Sequence, residues 1–484
     1  MNSKKSSIAI VWFRNDLRLT DNFALHEALV TYGTIIPVYV LTPEEEARWP
    51  RGGASQWWLH HSLASLDASL RTLGSRLILR SGTALQELTS IVESTGANAV
   101  YWNRRYEPAS IARDTVIKKA LSESGIDVKS FNSALLFEPW QIATQAKKPH
   151  QVFTPFWKTC LSISPSFMIQ SAPKHLRGPS TWPQSESLES FTLLPRISWD
   201  AGFAKCWQPG EAGAHIRLQT FLKSAVMRYA ISRNIPDLPG TSRLSPHLHF
   251  GEIGPRQIWN ALEQLDPKGL HADVNTFRSE IGWREFAHHI LYHFPTTPEE
   301  PLRANFRYFP WRTDATHLQA WQRGQTGYPI VDAGMRELWV TGWMHNRVRM
   351  IVGSFLTKHL RLSWTEGARW FWDTLVDADL ASNTFGWQWV AGCGADAGPY
   401  FRIFNPMMQA EKFDPDGSYI RRWVPELSRL PKQFLHQPWE ASEAELQAAG
   451  VVLGKTYPKP IVNHAQARAA ALEAFAETKK VLSE

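Results

Sequence analysis

The chain has 484 residues, too many for a single compact core, so two or three domains are expected. Hydrophobic residues make up 43% and charged residues 20%, and no apolar run reaches the roughly 18–20 residues of a membrane span. A net charge of +7 admits a polyanionic partner without identifying one. Three scattered cysteines with no CxxC (Cys160, Cys206, Cys393) argue against a disulfide scaffold or a zinc site and suit a reducing cytoplasm.

The basic tip at 1–6 runs into SIAIVWF (7–13), whose apolar stretch meets Arg14 and Asp16 at once. It reads as a buried strand, not a signal peptide. TIIPVYVL (34–41), RLILR (76–80), NAVYW (98–102) and DVKSF (127–131) repeat the β-branched signal at intervals that leave room for helices. Thr20 or Asp21 is placed to cap a helix that begins near Asn22. Continuous apolar strands between amphipathic helices predict a parallel sheet covered on both faces, a Rossmann- or flavodoxin-like α/β domain over 1–132. No GxGxxG follows the first strand, so a standard dinucleotide site is not expected there. Ser and Pro then accumulate between about 160 and 205, the signature of a surface connector, and we set the interdomain linker at 133–205. From 206 to 484 helical periodicity takes over, as in 214–230 and 277–294, and predicts an all-α C-terminal domain.

Several segments of that second part carry chemistry. On a helix, Glu280, Trp283 and Arg284 share one face. They read either as a surface ion pair beside an indole or as a wall that stacks a base on Trp283 and hydrogen-bonds its edge through Glu280. In WMHNRVRMIVGSFL (343–356), Asn346, Arg349, Met350 and Gly353 form a second face, with Arg347 beside it and free to reach phosphate. Arg349 has Asp377 as a candidate partner. GTSRLS (240–245) is either a phosphate cradle of backbone N–H groups or an ordinary helix start. His288, His289 and His293 lack a carboxylate at metal-ligand spacing, so packed or exposed histidines are expected and no metal.

Taken together, VWFRNDLRLTDN (11–22), GTSRLSPHLHFGEI (240–253), SEIGWREF (279–286), TGWMHNRVRM (341–350), DADLASNTFGWQW (377–389) and YFRIFNPMMQAEKFDPDG (400–417) resemble the photolyase/cryptochrome family in family order. The match leans toward the class III photolyases of bacteria, with class I close behind. The resemblance implies a flavin adenine dinucleotide (FAD) folded into the helical domain. Tyr229, Thr241, Ser242, Arg243, Leu244 and Ser245 would hold its phosphates. Arg349, Asp377, Ala378 and Asp379 would flank the flavin and ribityl region, Asn383 would face flavin N5, and Arg284 and Asn346 would complete the pocket. It further implies light-driven repair of cyclobutane pyrimidine dimers in DNA. Glu280, Trp283, Asn346, Met350 and Trp389 would contact the flipped dimer, and Arg233, Arg347, Arg402, Gln409 and Lys412 the backbone. Trp387, Trp364 and Trp311 would relay electrons between flavin and surface.

Three observations separate activities within the family. Asn383 stands where insect and plant cryptochromes carry Cys or Asp. Asn346 and Met350 stand where (6-4) enzymes place histidines, and Trp389 keeps the indole that plant cryptochromes and the DASH group replace. All three favour dimer repair over the alternative, a blue-light receptor using the same pocket. An electron-transfer flavoenzyme without DNA would need no basic cavity rim and no paired indoles at Trp283 and Trp389, and a DNA-binding module without catalysis would leave Asn383 and the acids at 377–379 without a purpose. NRRYEPAS (103–110) carries Ala109 and Ser110 instead of the Asn–Glu pair of the class I folate pattern. The expected antenna is methenyltetrahydrofolate, alternatively a deazaflavin. A cytoplasmic monomer that binds damaged DNA, single- or double-stranded, without an obligate protein partner completes the expectation.

Overall fold

The computed structural model describes residues 7–163, 167–398 and 401–480. The basic tip, residues 164–166 of the Ser/Pro stretch, and Pro399 and Tyr400 at the start of the last family segment lie outside the described residues. Five strands form one parallel sheet: β1 (Ile8–Phe13), β2 (Thr34–Leu41), β3 (Ile78–Ser81), β4 (Ala99–Asn103) and β5 (Asp127–Phe131), in the order β3-β2-β1-β4-β5. Every strand falls where the apolar runs place it.

The strands are apolar throughout because both faces are covered. Ala9, Val11 and Phe13 pack with Leu25 and Ala28 of α1 (Phe23–Thr31) and Leu59 and Leu63 of α2 (Gly53–Thr72). Ile10, Trp12, Ile36 and Val38 face the other way, onto Leu88 and Ile91 of α3 (Ala84–Thr95) and Ile117 and Leu121 of α4 (Pro108–Glu123). This period-2 split within one continuous hydrophobic run is the mark of a doubly covered parallel sheet. The cap of α1 corrects the expectation: Asn22, not Thr20 or Asp21, accepts the Leu25 N–H at 3.1 Å. Asp21 is in the left-handed region (φ 54°), and its carbonyl takes the buried Arg18 guanidinium.

The remainder is helical. The helix expected over 214–230 runs from Glu211 to Ser224 and stops at Ala225. A 3-10 turn (Val226–Arg228) and a short helix (Tyr229–Ser232) follow, with the Tyr229 ring against Phe221 and Phe277. A 22-residue helix, Ala272–His293, forms the spine of this half. The Asn346–Ser354 helix winds on into a π turn at Phe355–His359, and Asp379 caps the Leu380–Ala391 helix through Ser382 N–H at 2.8 Å.

Buried polar groups hold the two halves together. Arg18 donates to the carbonyls of Gly251 and Ser133. Glu252, fully buried, accepts from Trp58 Nε1 at 2.9 Å and Gly210 N–H at 2.7 Å and pairs with His247. Gly251 adopts φ +65°, and a Cβ there would lie 2.1 Å from the Asn15 carbonyl oxygen, so the close approach requires glycine. The stretch read as linker does more than connect. Glu285 of the spine helix accepts from Leu136 and Phe137 N–H, and α5 (Phe153–Ser162) buries Phe153, Phe156, Trp157 and Cys160 against that helix. Among the described residues no helix is long and apolar enough to cross a membrane.

Candidate active site

A cavity of ≈ 650 Å³ opens among the helices. Helical spacing builds its walls. The spine helix presents Glu280, Trp283, Arg284 and Ala287. The Asn346–Ser354 helix presents Asn346, Arg349, Met350 and Gly353, and Arg347, expected beside that face, lines the cavity too. The Leu380–Ala391 helix presents Asn383, Gly386, Trp387, Trp389 and Val390. Asp377, Ala378, Ser245, Arg233 and Arg402 join them from loops and neighbouring turns.

One carboxylate–guanidinium pair dominates the interior. Arg349 reaches both oxygens of Asp377, at 3.1 and 2.8 Å, and anchors its Nε on the Met344 carbonyl at 2.8 Å. His345 caps the same helix by accepting Arg347 N–H at 3.2 Å. Burial and the surrounding arginines push its ring down to about 3, so it stays neutral. Asn383 donates its amide to the Ala368 carbonyl at 3.0 Å, which leaves its oxygen for the cavity. Asp379 stands just behind the wall. Burial pushes its carboxyl up, but His288 and His249, 3.5 and 3.7 Å away, hold it well below the usual carboxylate range. Burial likewise opposes a charge on His288, yet Asp379 outweighs it and the ring titrates above its ordinary value.

Glu280 pairs with Arg233 at the mouth. Burial raises its carboxyl above the ordinary value against the pull of Arg233 and Arg347. Arg347 bonds Asn234 at 2.6 Å, and Arg402 lies over the Trp389 ring at 5.7 Å.

Several expected residues lie outside this lining. Tyr229 and Leu244 are packed in the core, and Arg243 (φ +52°) lies over Trp343 at 4.5 Å. Thr241 and Ser242 sit on the approach to Ser245, whose side chain alone of that segment reaches the cavity. Gln409 and Lys412 are on the adjacent helix Pro406–Phe413, where Phe413 takes both Lys412 and Arg347 on its ring. Trp364 and Trp387 belong to one hydrophobic cluster, and Trp311 packs against it. Trp387 packs on Gly367, where a Cβ would fall 2.1 Å from its ring, in the helix that Trp364 begins. Trp311 N-terminally adjoins Arg312, whose N–H bonds Arg361 beside Leu362, and it is half-buried where Trp364 is buried. The sequence signals missed Phe371, Leu375, Phe385 and Asp396, which also line the cavity. The first three look the same in a core as in a wall, and Asp396 stands outside any helical spacing that could have marked it. His288 and His289 are buried and His293 is half-buried, and among the described residues no group of three side chains that could hold a metal ion occurs.

Two smaller cavities adjoin the sheet domain. One, ≈ 200 Å³, lies at the C-terminal ends of β1 and β2 and carries Arg14, Arg51, Arg105 and Arg113. The other, ≈ 260 Å³, lies between the halves and is lined by Trp49, Trp372, Glu107, Ala109, Ser110 and Glu299, with Ala378 and Leu380 on its inner side.

A doubly wound sheet docked on a helical half, with a deep cavity of dinucleotide size among the helices, defines a class of two-part α/β plus all-α proteins. A sequence model described as the FAD binding domain of DNA photolyase matches residues 277–477, and one described as DNA photolyase matches 9–176. The deoxyribodipyrimidine photo-lyase of Agrobacterium fabrum is 50% identical over 99% of both chains. Cryptochrome-1 of Arabidopsis thaliana is 42% identical over 97% of this chain and 70% of its own. A solved structure described as a bacterial class III photolyase from Agrobacterium tumefaciens superimposes with a TM-score of 0.95 at 50% identity, covering 99% of each chain. The chain belongs to the photolyase/cryptochrome family.

Proposed function

We propose that the protein is a deoxyribodipyrimidine photo-lyase that repairs cyclobutane pyrimidine dimers in DNA under light. One observation carries the reading: Glu280, Trp283 and Trp389 line the same cavity as Asn383 and the Arg349–Asp377 pair. A dimer-facing set and a flavin-facing set in one cavity serve a reaction between the two. Its volume and donors suit FAD, which the C-terminal family match supports. Bound in reduced form, FAD would supply the light-driven electron chemistry that splits the cyclobutane ring without net redox change.

The chain's own residues do the positioning. Arg349, oriented by Asp377, would hold the flavin with a cation that favours its reduced, anionic form, and Asn383 would offer it an uncharged amide. Trp283 and Trp389 clamp the flipped dimer, whose extrusion is cheapest at a poorly stacked lesion, and Glu280 hydrogen-bonds its thymine edge. Asn346 and Met350 floor the dimer side, Arg284 and Ala378 the cofactor side, and Tyr229 with residues 241–245 supports the phosphates. Arg233, Arg347, Arg402, Gln409 and Lys412 take the backbone. Trp387, Trp364 and Trp311 carry electrons inward when oxidised cofactor is photoreduced.

For the antenna we favour methenyltetrahydrofolate in the cavity between the halves, where Trp49 and Trp372 meet edge-on at 5.4 Å and Glu107 and Glu299 offer acceptors to a pterin. The arginine-lined cavity above β1 and β2 suits a deazaflavin instead. The division at 1–132, 133–205 and 206–484, a monomeric state and action on cytoplasmic DNA belong to the same reading. Titrating the protein in the dark with an oligonucleotide carrying one thymine dimer, against the undamaged strand, tests it. Tighter binding of the damaged strand is expected; equal affinities would turn the reading toward a receptor.

A further inference from the structure

Behind the spine helix stands α5, drawn from the stretch expected only to connect domains. Phe153 lies flat on Trp283, with ring centroids 3.7 Å apart and planes 10° from parallel. The other ring contacts of Trp283, with Phe286 and Phe385, are edge-on or tilted at 6.0 and 5.8 Å. Trp283 lines the cavity and Phe153 does not, so the order from core outward is Phe153, Trp283, cavity.

The backbone that carries Phe153 is tied to Asp396 by two hydrogen bonds. Phe153 N–H donates to Asp396 Oδ1 at 3.3 Å, and Asp396 N–H donates to the Gln151 carbonyl at 3.0 Å. Asp396 adopts a left-handed backbone (φ 51°) and lines the same cavity as Trp283. One turn further along α5, the Trp157 indole rests on Gly282, where any Cβ would lie 2.7 Å from the ring. Side-chain length at 282 would therefore push α5, and Phe153 with it, off the spine helix.

We infer that Phe153 is a positioning residue for lesion recognition: it fixes the plane of Trp283 and confines the flipped dimer to one face of the indole, with Asp396 locking the support in place. The inference rests on the proposed repair reading and adds to it a residue that touches neither DNA nor flavin. An isolated indole at a cavity edge can turn about its side-chain torsions, and each alternative setting dilutes the stacking-competent one. A parallel ring at van der Waals distance removes that freedom before substrate arrives.

The test compares Phe153→Leu, which keeps apolar bulk but loses the plane, with Phe153→Tyr, which keeps the plane, and with Trp283→Ala. Each variant, loaded with flavin, is titrated in the dark with a single-dimer oligonucleotide and with its undamaged counterpart, and light-driven flavin reduction is recorded in parallel. Phe153→Leu is expected to weaken dimer binding roughly tenfold, within the range of one base–aromatic stack. Undamaged-strand affinity and flavin photoreduction should stay as in the parent, and Phe153→Tyr should bind the dimer like the parent. Parent-like dimer binding by Phe153→Leu, or an equal loss for both strands, overturns the inference while a weakened Trp283→Ala leaves the repair reading standing. If Trp283→Ala binds the dimer as well as the parent, the repair reading of that wall falls and the inference with it.

Discussion

Arg349 and Asp377, 28 residues apart, meet at the inner end of the cavity through two hydrogen bonds from a single guanidinium nitrogen. Asp377 is 8% exposed, so the pair is largely dry on the carboxylate side. Removing one partner of such a pair leaves an uncompensated charge, a cost on the order of 3–5 kcal/mol when fully buried. Asp377→Asn should therefore release the cofactor. Flavin absorbance per mole of purified protein is expected to fall several-fold, with folding preserved in far-ultraviolet circular dichroism.

His288 and Asp379 make stability depend on pH. The His288 ring titrates above its ordinary value, so its contribution is complete below the unfolded pKa and fades as pH climbs through the folded one. Asp379, held low, contributes above the ordinary carboxylate value and loses its contribution only in strong acid. The pair is at full strength from roughly pH 4 to 6.5. Thermal midpoints should decline from pH 6 toward pH 9, and His288→Gln should flatten that slope.

The sheet was legible in the sequence because each strand is a continuous apolar run, and two covered faces demand such runs. The faces of the cavity helices were legible for the same geometric reason: Glu280, Trp283 and Arg284 recur at helical spacing, as do Asn346, Arg349 and Met350. The pairing of Arg349 with Asp377 could be expected, since a buried guanidinium needs a carboxylate. The support shell escaped. Phe153 and Asp396 are 243 positions apart and carry no spacing signal, and a Phe that stacks on a functional indole reads like any core Phe. The break at Ala225 is a tertiary effect, set by where the Tyr229 ring must pack.

Trp311→Phe is expected to slow photoreduction of oxidised flavin by at least an order of magnitude while leaving repair by chemically reduced protein unchanged. Transient absorption and dimer repair, measured on the same preparation, separate the two. Loss of both would remove Trp311 from the relay.

The seam between the halves hangs on Glu252. Replacing it by Ala strands Trp58 Nε1, Gly210 N–H and His247 together. An unfolding penalty of about 3–5 kcal/mol is expected in denaturant titrations. Glu252→Gln, which keeps an acceptor for the indole, should lose less.

Glu280 separates donor from acceptor chemistry at the mouth. If it donates to a thymine carbonyl, Glu280→Gln supplies an N–H in its place and should retain more dimer affinity than Glu280→Ala, which should lose about tenfold. Both variants should keep a steep fall of affinity with salt, because the proposed backbone contacts at Arg347 and Arg402 are left in place.

The most direct measurement is light-dependent repair. Reduced protein is mixed with an oligonucleotide carrying one thymine cyclobutane dimer, and the return of thymine absorbance is followed under blue light and in the dark. Recovery under light alone is the predicted result. A protein that binds flavin, photoreduces it and leaves the dimer intact under illumination would contradict the account.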